Sequence, residues 1–273
     1  MVIDDEQAPG EQAIATADET LADLLDRSRR TSVPVRRTFL QLPDRTPGPL
    51  AAFVSGRRSL ALDLWLLLHA GASGGEWDVR QPAMSWARML DMPQTTASET
   101  TISRNWSWLE DQKLIRSVRD RRVRKLFLLR EDGSGRPFER AGGQERGFFK
   151  LPYAYFTDRI HRELKLAGKA TLLLCLAQSP TFTLPTERAA QWYGISADTL
   201  QRGIDELREL ELVKVWSRAK KAPRTRLGYT VESHYALREP FARAPAITTT
   251  ASTTDADSDT AQEPAAEAAE ATS

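Results

Sequence analysis

The chain has one cysteine, three histidines, no apolar run of bilayer length, and no lysine or arginine in its first 20 or last 30 residues. Each shortage excludes something. A single thiol, Cys175, rules out an intrachain disulfide and a cysteine-based metal site. Its setting, LLLCLA, is that of a buried small hydrophobe, and a reducing, cytoplasmic compartment fits. His69, His161 and His234 are isolated, without the H-x-H pair of a metal-dependent nicking site or an HExxH motif. No metal site and no cofactor are expected. No stretch nears the roughly 20 apolar residues that cross a bilayer, so no membrane contact is expected. The start, MVIDDEQAPGEQ, is acidic and has no apolar core, so it does not read as a signal peptide. Gly168-Lys169-Ala170 is no phosphate loop, because Ala170 follows the lysine and Glu163 stands where a loop glycine belongs. The acid pairs Glu110-Asp111 and Asp205-Glu206 fall on polar flanks of helices. An enzyme is not expected.

The formal net charge of +1 conceals a strong asymmetry. Six acids lie in residues 1–20 and six more in 244–273, so the 38 cations of residues 21–243 face only 25 acids, a net of +13. A basic body between acidic tails is suited to a polyanion. Residues 1–35 read as a disordered acidic tail containing one short helix near 17–29, with Leu21, Leu24 and Leu25 on one side. Residues 243–273 hold Ala, Thr, Glu and Asp without aromatics and read as a second disordered tail, one that offers a site to a protein partner.

Between the tails one plan occurs twice. In 36–130, LALDLWLLLHA (60–70) is an apolar helix, EWDVR (76–80) a short strand, and AMSWARMLDM a helix opened by Pro82 and closed by Pro93. Ser98 or Thr95 caps a third helix whose Ile102, Trp106 and Leu109 point inward, and Arg116–Arg130 form a hairpin turning near 120–122. Residues 131–147 read as a Gly-rich polar linker. In 148–242, FKLP (149–152) echoes LQLP (40–43), and AGKATLLLCLA (167–177) echoes the first apolar helix. A short strand at 182–184 follows, then a helix ended by Gly194. Ser196 caps a last helix with Leu200, Ile204 and Leu207 inward, and a basic hairpin closes the plan. Trp65, Trp106 and Trp192 sit at core spacing, whereas Trp108 and Trp216 fit either the root of a hairpin or stacking on bases. The apolar helix at 60–70 is rich enough to serve a homodimer interface.

The S-x-x-T-I-S-R of 98–104, the Y-G-I-S-x-x-T-L-x-R-G of 193–203 and the Arg-rich hairpin after each resemble the winged helix-turn-helix superfamily of DNA-binding domains. Paired copies are also similar in architecture to winged-helix replication initiators of plasmids. The resemblance implies a mainly α fold with small β-hairpins (α+β), two tandem winged-helix domains at 36–130 and 148–242, and double-stranded DNA as partner. It implies transcription regulation or replication initiation as the role, and a protein adaptor without DNA readout as the alternative. Third helices that enter major grooves would offer Thr100, Thr101, Arg104 and Trp108 from the first copy and Asp198, Thr199, Gln201 and Arg202 from the second. Arg104 and Arg202 suit guanine, and Gln201 suits adenine. The wings would set Arg116, Arg119, Arg121, Arg122, Arg124 and Lys125, then Arg218, Lys220, Lys221, Arg224 and Arg226, against phosphates.

Overall fold

The computed structural model describes residues 14–120, 123–139 and 147–242. Helix α1 (Ala17–Asp26) starts in a capping box: the Thr16 hydroxyl accepts from Glu19 N–H, and the Glu19 carboxylate accepts from Thr16 N–H. Strand β1 (Ser32–Arg36) follows, then α2 (Leu50–Ser55), α3 (Ser59–Gly71), β2 (Asp78–Gln81), α4 (Ala83–Met89), α5 (Thr96–Asp111), β3 (Ile115–Asp120) and β4 (Val123–Leu128). The second half runs β5 (Phe148–Pro152), α6 (Ala154–Thr157), α7 (Ile160–Glu163), α8 (Leu166–Leu176), α9 (Ala189–Tyr193), α10 (Ala197–Glu209), β6 (Val213–Lys221) and β7 (Tyr229–Leu237). The fold is mixed α and β, with small antiparallel sheets.

The two halves share a topology. In the first, β2 pairs with β4 and β4 with β3, so the strand preceding the helix pair docks on the outgoing hairpin strand. In the second, the counterpart of β2 shrinks to one bridge, Phe182 to Tyr235 of β7, and β6 and β7 pair over nine residues each. Both third helices are capped as their sequences suggest. Thr95 Oγ1 accepts from Ser98 N–H and Ser196 Oγ from Thr199 N–H. Their inward stripes, Ile102, Trp106 and Leu109 on α5 and Leu200, Ile204 and Leu207 on α10, are buried. Gly194 ends α9 in the left-handed region (φ 66°), where a Cβ would lie 2.5 Å from that of Ala51.

The halves are joined along β1 and β5, which pair antiparallel from Ser32–Pro152 to Arg36–Phe148. Contacts across the joint are reciprocal, as in a two-fold interface. Asp91, just after α4, accepts from Arg159 (3.0 Å) and Arg162 beside α7, while Trp192 and Gly194 at the end of α9 meet Gln41, Arg45, Pro47 and Ala51 around α2. The central helices α3 and α8 meet through a buried ion pair. Lys169 Nζ lies 2.5 Å from Asp63 Oδ2, and the Tyr155 hydroxyl donates to Asp63 Oδ1 at 2.7 Å. Burial pushes the Asp63 carboxyl up, opposed by Lys169 and Tyr155.

Four sequence readings change here. The short helix expected near 17–29 is present as α1 with Leu21, Leu24 and Leu25 buried in the body, and with β1 it takes residues 17–35 out of the expected disordered tail. Gly71 of α3 comes so close that a Cβ there would lie 2.5 Å from Leu24 Cδ1. Residues 131–139 do not behave as a polar linker. Glu131 is buried against Arg36 (2.8 Å), and Phe138 packs edge-on to His69 and Trp77. The echo of 40–43 in 149–152 is not a structural equivalence, since 149–152 lies in β5, whose partner is β1, while Gln41 bridges to Pro47 in a turn. Residues 61–71 of α3 are all buried within the chain, which removes the exposed face that a dimer would have used. The expected tails at 1–13 and 243–273 and the linker segment 140–146 lie outside the described residues.

Candidate nucleic-acid interface

Helix α5 presents Thr100, Ser103, Arg104 and Ser107 to solvent. These recur at helical spacing opposite the buried stripe, so they form one face. Arg104 makes no ion pair or hydrogen bond among the described residues. Thr100 Oγ1 donates to Thr96 O (3.0 Å) and the half-buried Thr101 to Ala97 O (2.9 Å). Trp108 is half-buried, edge-on to Phe53 at 4.8 Å and beneath the Arg58 guanidinium at 5.4 Å, so it packs at the root of the helix. Ser103 and Ser107 were legible from their spacing to Arg104 and were missed, while Arg58 comes from the loop before α3 and carried no local signal.

The face of α5 runs on to the hairpin β3–β4. Ser103 and Trp106 of α5, Trp86 of α4, and Ser117, Arg119 and Arg124 of the hairpin line a cavity of about 350 Å³. Arg119 and Arg124 are directly opposite in the ladder, and neither makes an ion pair among the described residues. Like charges so placed destabilise a hairpin unless an outside anion offsets them. Arg116 lies on the other face, its guanidinium 3.9 Å from the centre of the Phe127 ring. Lys125, expected at a phosphate, has partners within the chain. It is held by Glu76 (2.9 Å), in the turn before β2, and by Asp78 of β2 (3.4 Å). Those bonds raise the Lys125 pKa and lower that of Glu76. Arg121 and Arg122 lie outside the described residues.

On α10 the outward side chains are joined to one another. Arg202 Nε meets Asp198 at 3.1 Å, Arg202 Nη2 donates to Thr199 Oγ1 at 3.2 Å, and Gln201 donates to Asp205 at 3.1 Å. Asp198, Gln201 and Arg202 are exposed, and exposed i,i+4 pairs are worth only about 0.3–0.5 kcal/mol, so these contacts yield readily to a ligand. Gly203 faces inward, where its missing Cβ lets α10 lie against Thr171 and Ala167 of α8. Hairpin β6–β7 carries Arg218, Lys220, Lys221, Arg224 and Arg226, all exposed. Glu232 is opposite Arg218 and 3.8 Å from Lys220. Trp216 stacks on His234 across the ladder at its root (5.8 Å). Trp192, expected in the core, is half-buried between the guanidinium groups of Arg45 and Arg188.

Among the described residues there is no cluster of three or more metal-ligating side chains, and no helix is long and apolar enough to cross a membrane. Cys175 is buried, which pushes its thiol pKa well up. No protein-family model, no curated protein and no solved structure matches the chain.

Proposed function

We propose that this chain is a non-enzymatic, sequence-specific binder of double-stranded DNA that uses two winged-helix halves, α3–β4 and α8–β7, as a transcriptional regulator or as a replication initiator at a plasmid or mobile-element origin. The observation that carries the reading is the repeated topology, in which a capped third helix with a polar outer face runs straight into a hairpin rich in exposed cations. A helix in a major groove with a hairpin along the backbone is how winged helices meet duplex DNA. Arg104 on α5 and Gln201 and Arg202 on α10 are the base readers, and Arg119, Arg124, Arg218, Lys220, Lys221, Arg224 and Arg226 are the phosphate contacts.

The test is selection from a random duplex pool by the full chain, followed by gel shift of the enriched sequence. Arg104→Ala and Arg202→Ala should each cost about 1–3 kcal/mol on the selected duplex and relax preference at one position. If no sequence is enriched and both variants bind as the parent does, sequence readout is wrong. A protein adaptor is favoured by one feature, the exposed Leu227, Tyr229 and Val231 on β6–β7. That reading predicts no retention of duplex DNA by the parent protein.

A further inference from the structure

The hairpin β6–β7 has two parts. Near the body, Val213, Val215, Tyr235 and Leu237 share one face of the ladder and pack on the core, with Phe182 stacked on Tyr235 at 5.8 Å. Beyond the Ser217–Ser233 pair the same face continues through Ala219, Val231 and Tyr229, with Lys221 opposite Tyr229 at its end, and nothing covers it among the described residues. Val231 is 61% exposed, Tyr229 46%, and Leu227 in the loop 63%. The four residue steps from Ser217 to Lys221, at about 3.3 Å each, carry this arm roughly 13 Å outward before the loop begins. The loop is fixed rather than slack. Ala222 N–H donates to Gly228 O (2.8 Å), Gly228 N–H to Thr225 O (3.0 Å), and the single Thr225 hydroxyl proton is shared between Ala222 O (2.9 Å) and Tyr229 O (3.0 Å). It holds Arg224, Arg226 and Leu227 at the tip.

From Ser217 to Glu232 there are five cations and one acid, Glu232, which lies opposite Arg218 and 3.8 Å from Lys220, a net of +4. A second copy of the same arm would therefore be repelled, while a polyanion with an apolar floor would suit both the charges and the apolar strip. We infer that this arm occupies a minor groove and bends the duplex there, with Leu227 as the wedge and the five cations on the flanking phosphates. The inference rests on the DNA-binding reading above. Its physical reason is width. The minor groove of B-DNA is about 6 Å wide, and two strands about 4.8 Å apart with their side chains exceed that. The groove has to open, and opening it unstacks base steps. An apolar side chain entering that gap stabilises the bend, which in minor-groove wedging is roughly 20–90° toward the major groove.

The experiment is energy transfer between dyes at the two ends of a selected duplex of about 40 base pairs, with dimethyl sulfate interference on the same duplex. The full-length protein should shorten the end-to-end distance and be blocked by methylation at adenine N3, the minor-groove position. Leu227→Ala, at an exposed tip, should lose at least half of the bend when read at saturating protein. Arg224→Ala with Arg226→Ala should instead weaken binding at least tenfold. Binding without bending, an unaltered bend in Leu227→Ala, or interference confined to guanine N7 overturns the arm while leaving DNA binding intact. Self-association that Leu227→Ala abolishes overturns it in favour of a second copy. Failure to retain any duplex overturns the DNA-binding reading and the arm with it.

Discussion

Gly203 shows how much one hydrogen atom in place of a methyl group decides. A Cβ there would lie 2.0 Å from Thr171 Oγ1 and 2.5 Å from the Ala167 carbonyl oxygen, so α10 cannot keep its distance from α8 with any larger residue. Gly203→Ala should lower stability by about 1–3 kcal/mol in urea melts and weaken DNA binding by tilting Gln201 and Arg202. The Asp63–Lys169 pair makes a second residue-level prediction. Asp63→Leu or Lys169→Met alone should cost about 3–5 kcal/mol by leaving a buried charge unpaired, and the double replacement much less. Histidine gives a pH dependence. Burial depresses His69 to about 3 and His161 to about 4, against 6.5 when exposed. The unfolded chain therefore binds protons between pH 6.5 and 4 that the native chain refuses, and stability falls as pH drops through that window. The slope is up to about 1.4 kcal/mol per pH unit for each histidine, and His161→Gln should flatten it in pH-resolved denaturation curves. None of these roles was legible locally. Lys169 in AGKAT reads as a helix-start lysine, and only its partner 106 residues away, Asp63, makes it a core residue.

At the scale of elements, the sequence was informative wherever the signal was local. Caps at Thr95 and Ser196, the stripes of α5 and α10, and the stop at Gly194 all stand where spacing and side-chain chemistry put them. Local patterning failed where an element depends on distant contacts. Helix α1 was legible from the spacing of Leu21, Leu24 and Leu25, but its docking on the body, Leu24 against Gly71, was not. The segment at 131–139 looks polar yet is fixed by Glu131 and Phe138, and the ion pair that holds Lys125 was not legible because Glu76 lies 49 residues earlier. The two hairpins then differ in a testable way. Arg218, Lys220 and Lys221 replaced together by Ser should leave thermal stability nearly unchanged and reduce the salt slope of DNA binding by about 0.9 per lost phosphate contact. Lys125→Ser should barely alter that slope, because its charge is already offset by two carboxylates.

At the scale of the molecule, residues 14–242 hold a repeated plan but share one contiguous core, with β1 from the start of the chain paired to β5 at its middle. The sequence repeat suggested two separable units, and the joint was invisible because its pairs, such as Asp63 with Lys169 and β1 with β5, lie more than 100 residues apart in the chain. Residues 148–242 expressed alone should therefore fail to give a cooperative melt, since excision strips the cover from β5 and from Lys169. Under the proposed reading, α5 and α10 carried on one core would let one chain address two sites on a duplex without dimerising. The central claim, that exposed hairpin cations neutralise DNA phosphates, is tested most directly by a salt titration of the full chain on a selected duplex. With roughly six phosphate contacts, log affinity should fall linearly with log salt, losing about a thousandfold between 50 and 200 mM. Affinity that is flat across that range, or no measurable binding at 50 mM, would contradict it.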